Sequence, residues 1–160
     1  MTQLIAIALT TGLLSGVWVW MADSLNLLSW AGFLGCTSYF ATKGDFRALL
    51  SSVATNLTGV GWAMVMIGGS VAMESHLANY ATVAVVSFLM CVQARQKWLA
   101  YIPGTFIGAC ATFASNGDWK TVVLSLVIGA IMGFAMKQSG LWLYQKFNRK
   151  NMHHKASAHS

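Results

Sequence analysis

Six uncharged apolar runs follow one another along this chain: Leu4–Met21, Leu27–Thr42, Leu49–Met73, Leu77–Ala94, Trp98–Ser115 and Thr121–Met136. All ten Lys/Arg and all four Asp/Glu lie between the runs or after the last one. In hydrocarbon no water is available to backbone N–H and C=O groups, so a run of this kind can only be a helix that satisfies its own hydrogen bonds. A spanning helix takes about 17–25 apolar residues, so the runs read as six membrane segments, two of them short. Buried helices of a soluble domain are the alternative. With 56% hydrophobic and 9% charged residues and a mean hydropathy of +0.59, against about 25% charged in a soluble domain, such a domain would have no polar surface.

Charge placement gives the segments a direction. With six crossings, the N-terminus, the second and fourth loops and the C-terminus share one side. That side carries Lys43, Arg47, Arg95, Lys97, Lys137, Lys146, Arg149, Lys150 and Lys155, while Lys120 lies opposite with Asp23, Glu74 and Asp118. This is the positive-inside pattern, which places both termini in the cytoplasm. The basic excess therefore orients the chain and does not point to nucleic acid. Aromatic residues fall near the ends of the segments, as expected at the headgroup boundary; Trp62 is deeper and reads as packing. Leu4–Met21 is long for a signal peptide and lacks a basic flank, so it reads as a retained first span.

An internal repeat runs through this pattern. Trp30–Arg47 aligns with Pro103–Lys120 at an offset of 73, with six of 18 positions identical: Phe33/Phe106, Gly35/Gly108, Phe40/Phe113, Ala41/Ala114, Gly44/Gly117 and Asp45/Asp118. Chance gives roughly one match in such a window. Three segments per half is an odd number, so the halves enter the membrane in opposite orientations, as inverted-topology repeats. The expected architecture is an all-α integral membrane domain over residues 1–144, with repeat one at about 4–73 and repeat two at about 77–144. Residues 145–160 form a basic tail without apolar period, expected to be disordered and to lie against anionic lipid.

The second and fifth segments are unusual. The second is short and rich in small and polar residues; the fifth carries Pro103, the chain's one proline, followed by Gly104 and Gly108. Short or interrupted segments at matching positions of inverted halves point to a solute pathway. Close helix packing through Gly104-x-x-x-Gly108, Gly12-x-x-x-Gly16 and Gly129-x-x-x-Gly133 is the competing explanation. On the pathway reading the lining residues are Phe33, Gly35, Thr37, Phe40, Asn56, Thr105, Phe106, Gly108, Thr112 and Phe113. Asp45 and Asp118 each follow a glycine at a turn and stand where a carboxylate caps the next helix, or where it would flank a pore mouth. No ionisable group lies deep in a run, which argues against a proton- or ion-coupled pump. Asn56 is the costliest polar group to bury and is expected to bond another helix or a solute.

Nothing in the chain has the pattern of an enzyme: the segments hold no G-x-S-x-G, no H-E-x-x-H and no His/carboxylate cluster. His153, His154 and His159 fall in the tail. Cys36, Cys91 and Cys110 all lie within runs, an odd number without metal-ligand spacing, and read as small packing residues. No cofactor and no metal is expected.

The stretches LLSWAGFLGCTSYFA, PGTFIGACATFASNGDWK and GFAMKQSGLWL resemble the signatures of small bacterial inner-membrane proteins grouped as domain of unknown function 1097. The resemblance covers the chain to about Tyr144 and implies a multi-pass protein of the bacterial inner membrane. It carries no functional residues with it. The function that the segments and repeat suggest is passive permeation of a small solute by a homo-oligomeric channel or facilitator. The alternative is a non-transporting membrane subunit that docks a partner protein or complex.

Overall fold

The computed structural model describes residues 2–72 and 76–157, with side chains described except at 71–76 and 149–157. Glu74, Arg149, Lys150, Lys155 and the tail histidines therefore lie outside the described side chains. Among the described residues there are six α-helices: α1 Gln3–Ser24, α2 Ser29–Phe40, α3 Phe46–Ala72, α4 His76–Val92, α5 Ile102–Ala114 and α6 Trp119–Ser157. No strand occurs among the described residues. Four stretches, Gln3–Ser24, Phe46–Ser70, Leu77–Arg95 and Trp119–Asn148, are long and apolar enough to cross a membrane. The other two helices have 12 and 13 residues. At 1.5 Å per residue each is about 18–20 Å long, short of a hydrocarbon core of about 30 Å.

The ends of these helices follow from local chemistry. Pro103 sits in the first turn of α5 and starts that helix instead of interrupting it; its missing N–H is one of those a first turn leaves unpaired in any case. The polar stretch before it, Gln93–Leu99, forms two 3-10 turns that end α4. Helix α6 does not stop where the apolar run does, at Met136, but continues through Lys- and Gln-containing turns into the basic tail; these are good helix formers. The two G-D turns share a left-handed glycine and an Asp cap, while Asn116 (φ 54°) adds a second left-handed residue to the later one. Gly44 (φ 77°) and Gly117 (φ 84°) take the left-handed conformation that glycine adopts without a Cβ penalty. Asp45 and Asp118 then accept the N–H of Ala48 (2.7 Å) and Thr121 (3.4 Å), capping α3 and α6.

Helix α2 packs along α6, α5 along α3, and α2 meets α5, while α1 and α4 flank α6 and α3. Two of these approaches are backbone to backbone. A Cβ on Gly35 would overlap the carbonyl of Leu126, and one on Gly129 the carbonyl of Gly32. In the other pair, Gly108 rests on the carbonyl of Asn56 and Gly59 on that of Thr105. Gly108 and Thr105 stand 73 residues after Gly35 and Gly32; Leu126 and Gly129 stand 70 after Asn56 and Gly59. Both helix pairs are therefore joined at corresponding positions.

Polar ties fix the flanking elements. The buried Trp18 indole donates to the Ser29 carbonyl (2.9 Å) and lies over Gly32, where a side chain would strike the ring. Thr10 donates to the Met136 carbonyl (2.9 Å), and Gly140 lies against Ile7, so α1 and α6 run antiparallel. Lys137 reaches the Lys43 carbonyl (3.3 Å), and Ser51 that of Trp98 (3.1 Å). The start of α1, the turn around Lys43, the 3-10 turns and the late part of α6 thus share one end of the bundle. Lys43, Arg47, Arg95, Lys97, Lys137 and Lys146 belong to that end.

Adding a single methyl group separates the seated glycines from the free ones. Alanine is the better helix former by about 0.8–1 kcal/mol, and nothing lies within 4 Å of a Cβ at Gly12 or Gly61. Gly12→Ala and Gly61→Ala are expected to hold or raise the melting midpoint of the detergent-purified protein. Gly59→Ala and Gly129→Ala should lower it, by overpacking of about 1–3 kcal/mol. Thermal melts followed by size-exclusion chromatography read the difference in sign.

Candidate functional site

The interior of this bundle is unevenly polar. Between α2 and α3 lie three fully buried polar side chains, Ser38, Ser52 and Asn56. Ser52 and Asn56 are one turn apart on α3 and so share a face. The Ser38 hydroxyl donates to the Asn56 side-chain oxygen (2.9 Å) and stands 2.7 Å from that of Ser52. Since Ser38 has one proton and gives it to Asn56, Ser52 is the donor in the second contact. The Asn56 amide nitrogen is left with no partner, in a residue only 1% exposed. An unmet buried donor costs about 1–3 kcal/mol, so this amide is open to a molecule that brings an acceptor.

A second polar group shows what a closed network looks like. Gln93, where α4 ends, donates to Thr105 (2.6 Å) and Thr58 (3.2 Å) and accepts the Trp62 indole N–H (2.8 Å). Its amide is fully used. This arrangement ties α4 to α3 and α5, and Trp62 is more than packing there.

The corresponding place in the other half has the opposite chemistry. Positions 73 after Ser38 and 70 after Ser52 and Asn56 are Ala111, Val122 and Leu126, which with Val60 form a buried apolar cluster. The trio's place is thus hydrogen-bonding, and the three positions that answer it in the other half are apolar.

The polar trio lies behind a cleft of about 910 Å³ at the basic end, lined by the turn after α2, the first turns of α3, and the stretch from Lys97 to Tyr101. Tyr101 lines the cleft on one side and faces the Ser38 hydroxyl on the other. Lys43, Arg47, Lys97 and Asp45 also line it.

Of the residues singled out from the sequence, Asn56 joins this group. Gly35 and Gly108 are the packing contacts already described, and Thr105 is held by Gln93. Thr112 is buried and donates to the Gly108 carbonyl of its own helix (2.9 Å). Phe33, Phe106 and Phe113 are 38–45% exposed. They and Thr37 lie on outward faces of α2 and α5, and Phe40 is half-buried beside Tyr39. Cys36 is buried, Cys91 and Cys110 are exposed, and all three are free thiols. The described residues hold no group of three or more His, Cys, Asp or Glu close enough to bind a metal ion. Sequence reasoning did not single out Ser52, Gln93 and Tyr101. The Ser52/Asn56 spacing of four was a usable signal, whereas Gln93 looked like the end of an apolar run.

The comparisons with known proteins identify a family. A family model described as "Protein of unknown function (DUF1097)" matches residues 8–141. The chain is 60% identical to the "Inner membrane protein YcdZ" of Escherichia coli K12 over 146 residues, 89% of each chain. It is 58% identical to the protein of that name from Salmonella typhimurium, over 89% of this chain and 91% of the relative. The "Uncharacterized protein YahC" of Escherichia coli K12 is 28% identical, over 94% and 99%. No solved structure matches. The chain belongs to the DUF1097 family.

The Asp118 cap has a pH signature. Hydrogen bonds from Thr121, side chain first and backbone second, hold this carboxyl below its ordinary value of 3.8. A depressed acid contributes stability that is complete above the unfolded value and is lost as pH falls through the lower folded one. The melting-point difference between wild type and Asp118→Ala should be constant near neutrality and shrink below about pH 4. A difference that widens on acidification would contradict the cap.

Proposed function

We propose that this protein is a passive channel or facilitator for a small uncharged polar solute in the bacterial inner membrane. The observation that carries the reading is the buried Asn56 amide with an unused donor, behind a cleft open at the basic end. A solute with an acceptor oxygen or nitrogen would meet that donor and the two serine hydroxyls in place of its hydration shell. The absence of Asp, Glu, Lys or Arg deep in any apolar run leaves nothing to relay a proton or neutralise an ion. The inner-membrane location rests on the names of the relatives, and cytoplasmic termini on the charge distribution.

In this reading the chain is two inverted repeats. Support comes from the reciprocal glycine contacts, which recur at offsets of 73 and 70 with each short helix laid on the long helix of its half's counterpart. The functional unit is a homo-oligomer. The outward faces of α2 and α5, with Phe33, Thr37, Phe106 and Phe113, are open to a neighbouring copy. No catalytic step belongs to this reading.

The second reading, a non-transporting subunit that docks a partner, is favoured by one feature. Gly12 and Gly16 have nothing within 4 Å of a Cβ, so this small-xxx-small face of α1 is unused within the protomer and suits another helix. Gly12→Leu should dissociate a homo-oligomer held there, as read by native mass spectrometry. Unchanged assembly would remove α1 as the interface.

Copying the apolar counterpart positions into the trio tests the solute contact. Ser38→Ala/Ser52→Val/Asn56→Leu replaces every member of the trio together, which is close to neutral for stability. It should abolish uptake of the transported solute into proteoliposomes, in a panel of small amides, alcohols and polyols, while the melting midpoint holds. Full flux through a stable triple variant would sink the proposal.

A further inference from the structure

The cleft at the basic end has a chemistry that the solute reading does not use. Lys43 comes from the turn after α2, Arg47 from the first turn of α3, and Lys97 from the second 3-10 turn. These are three separate segments brought to one cavity. Its one carboxylate, Asp45, is already engaged by the Ala48 N–H. Among the described residues the three cations form no ion pair and donate no side-chain hydrogen bond. A cluster of three positive charges against one negative repels itself, and an anion placed among them relieves that repulsion. No side chain caps α5, whose N-terminal end adds partial positive charge at Tyr101.

The same cleft has an apolar wall. Leu50 and Trp98 are 55% and 65% exposed there, next to Ala100 and Tyr101. An indole at the end of a bundle that crosses a membrane favours the headgroup boundary. Cations beside an aromatic and aliphatic wall match a ligand that is anionic at one end and apolar at the other. We propose that this cleft is a binding site for a phosphate-bearing anion, supplied in the membrane by the headgroup of an anionic phospholipid. The phosphate oxygens lie among Lys43, Arg47 and Lys97, and the first carbons of the acyl chains run along Leu50 and Trp98. Arg47 is suited to bidentate phosphate contact, and the lysines act as point charges.

Two double variants that remove equal charge from the same end test the site. Arg47→Gln/Lys97→Gln removes two of the cleft's three cations, and Arg95→Gln/Lys146→Gln lies outside it; all four residues are exposed. The full-length protein is exchanged into mixed micelles of detergent with phosphatidylglycerol or phosphatidylcholine, and retained lipid is counted by native mass spectrometry. Wild type should retain phosphatidylglycerol over phosphatidylcholine. The cleft variant should lose that lipid about tenfold, as expected for two charge-assisted contacts, and the control less than about twofold. Raised salt on the wild type alone should strip the lipid, which needs no variant to fold. In a second arm, inorganic phosphate is titrated into lipid-free protein and followed by thermal shift. Stabilisation of wild type and not of the cleft variant, without a phosphatidylglycerol preference, would keep the phosphate site and overturn the lipid as its source. Equal losses in both variants, retention in both, or retention in high salt would each overturn the proposal.

Discussion

Two helix pairs, α2 with α6 and α5 with α3, approach so closely that a methyl group does not fit between them, and the other contacts are arranged around these two seams. In lipid there is no hydrophobic gain from pressing one apolar helix on another, because the acyl chains are as apolar as leucine. What remains is dispersion at short range, weak Cα–H···O contacts, and polar side chains that find partners across the interface. Glycine supplies the first two by removing its own side chain: Gly35 and Gly129 set α2 onto α6, and Gly108 and Gly59 set α5 onto α3. Short helices of 12 and 13 residues bury too little to be held by side chains alone. Backbone contact lets them stay.

A short helix in a membrane also begins at a depth where water is scarce, and its first N–H groups need partners. The Leu28 N–H at the start of α2 is met by the Ser125 hydroxyl from α6 (3.0 Å). At the start of α5, proline deletes one of the donors instead. The long helices thus provide the surface on which the short ones lie, and for α2 also the hydroxyl that meets its first N–H.

Much of this could be read from the residues. The runs gave six helices, the Gly-Asp pairs gave two capped turns, and the matching segments marked the second and fifth as short or interrupted, though the runs counted both among six crossings and only four of the described helices are long enough. Pairing was harder to read. Whether a glycine faces a pathway or a neighbouring backbone depends on which helix lies opposite, and helical periodicity is silent on that when every face is apolar. Gly104-x-x-x-Gly108 and Gly129-x-x-x-Gly133 are seams within the protomer, while Gly12-x-x-x-Gly16, with the same spacing, touches nothing. The candidate site was partly visible through Asn56. Ser52 and Gln93 were not, because a lone Ser or Gln in an apolar run has no pattern until its partners are known.

The one-sided polarity of the interior bears on how a passive route would behave. A solute that finds hydrogen bonds at Ser38, Ser52 and Asn56 and none at Ala111, Val122 and Leu126 travels over a lopsided free-energy profile. On such a route the well would lie at the trio, and the resistance at its apolar counterpart. Such a profile sets where a molecule dwells and how readily the route saturates from each side. It cannot rectify: microscopic reversibility requires equal flux in both directions at equal concentration, however uneven the landscape between. Net movement would then be decided by whatever consumes the solute on one side.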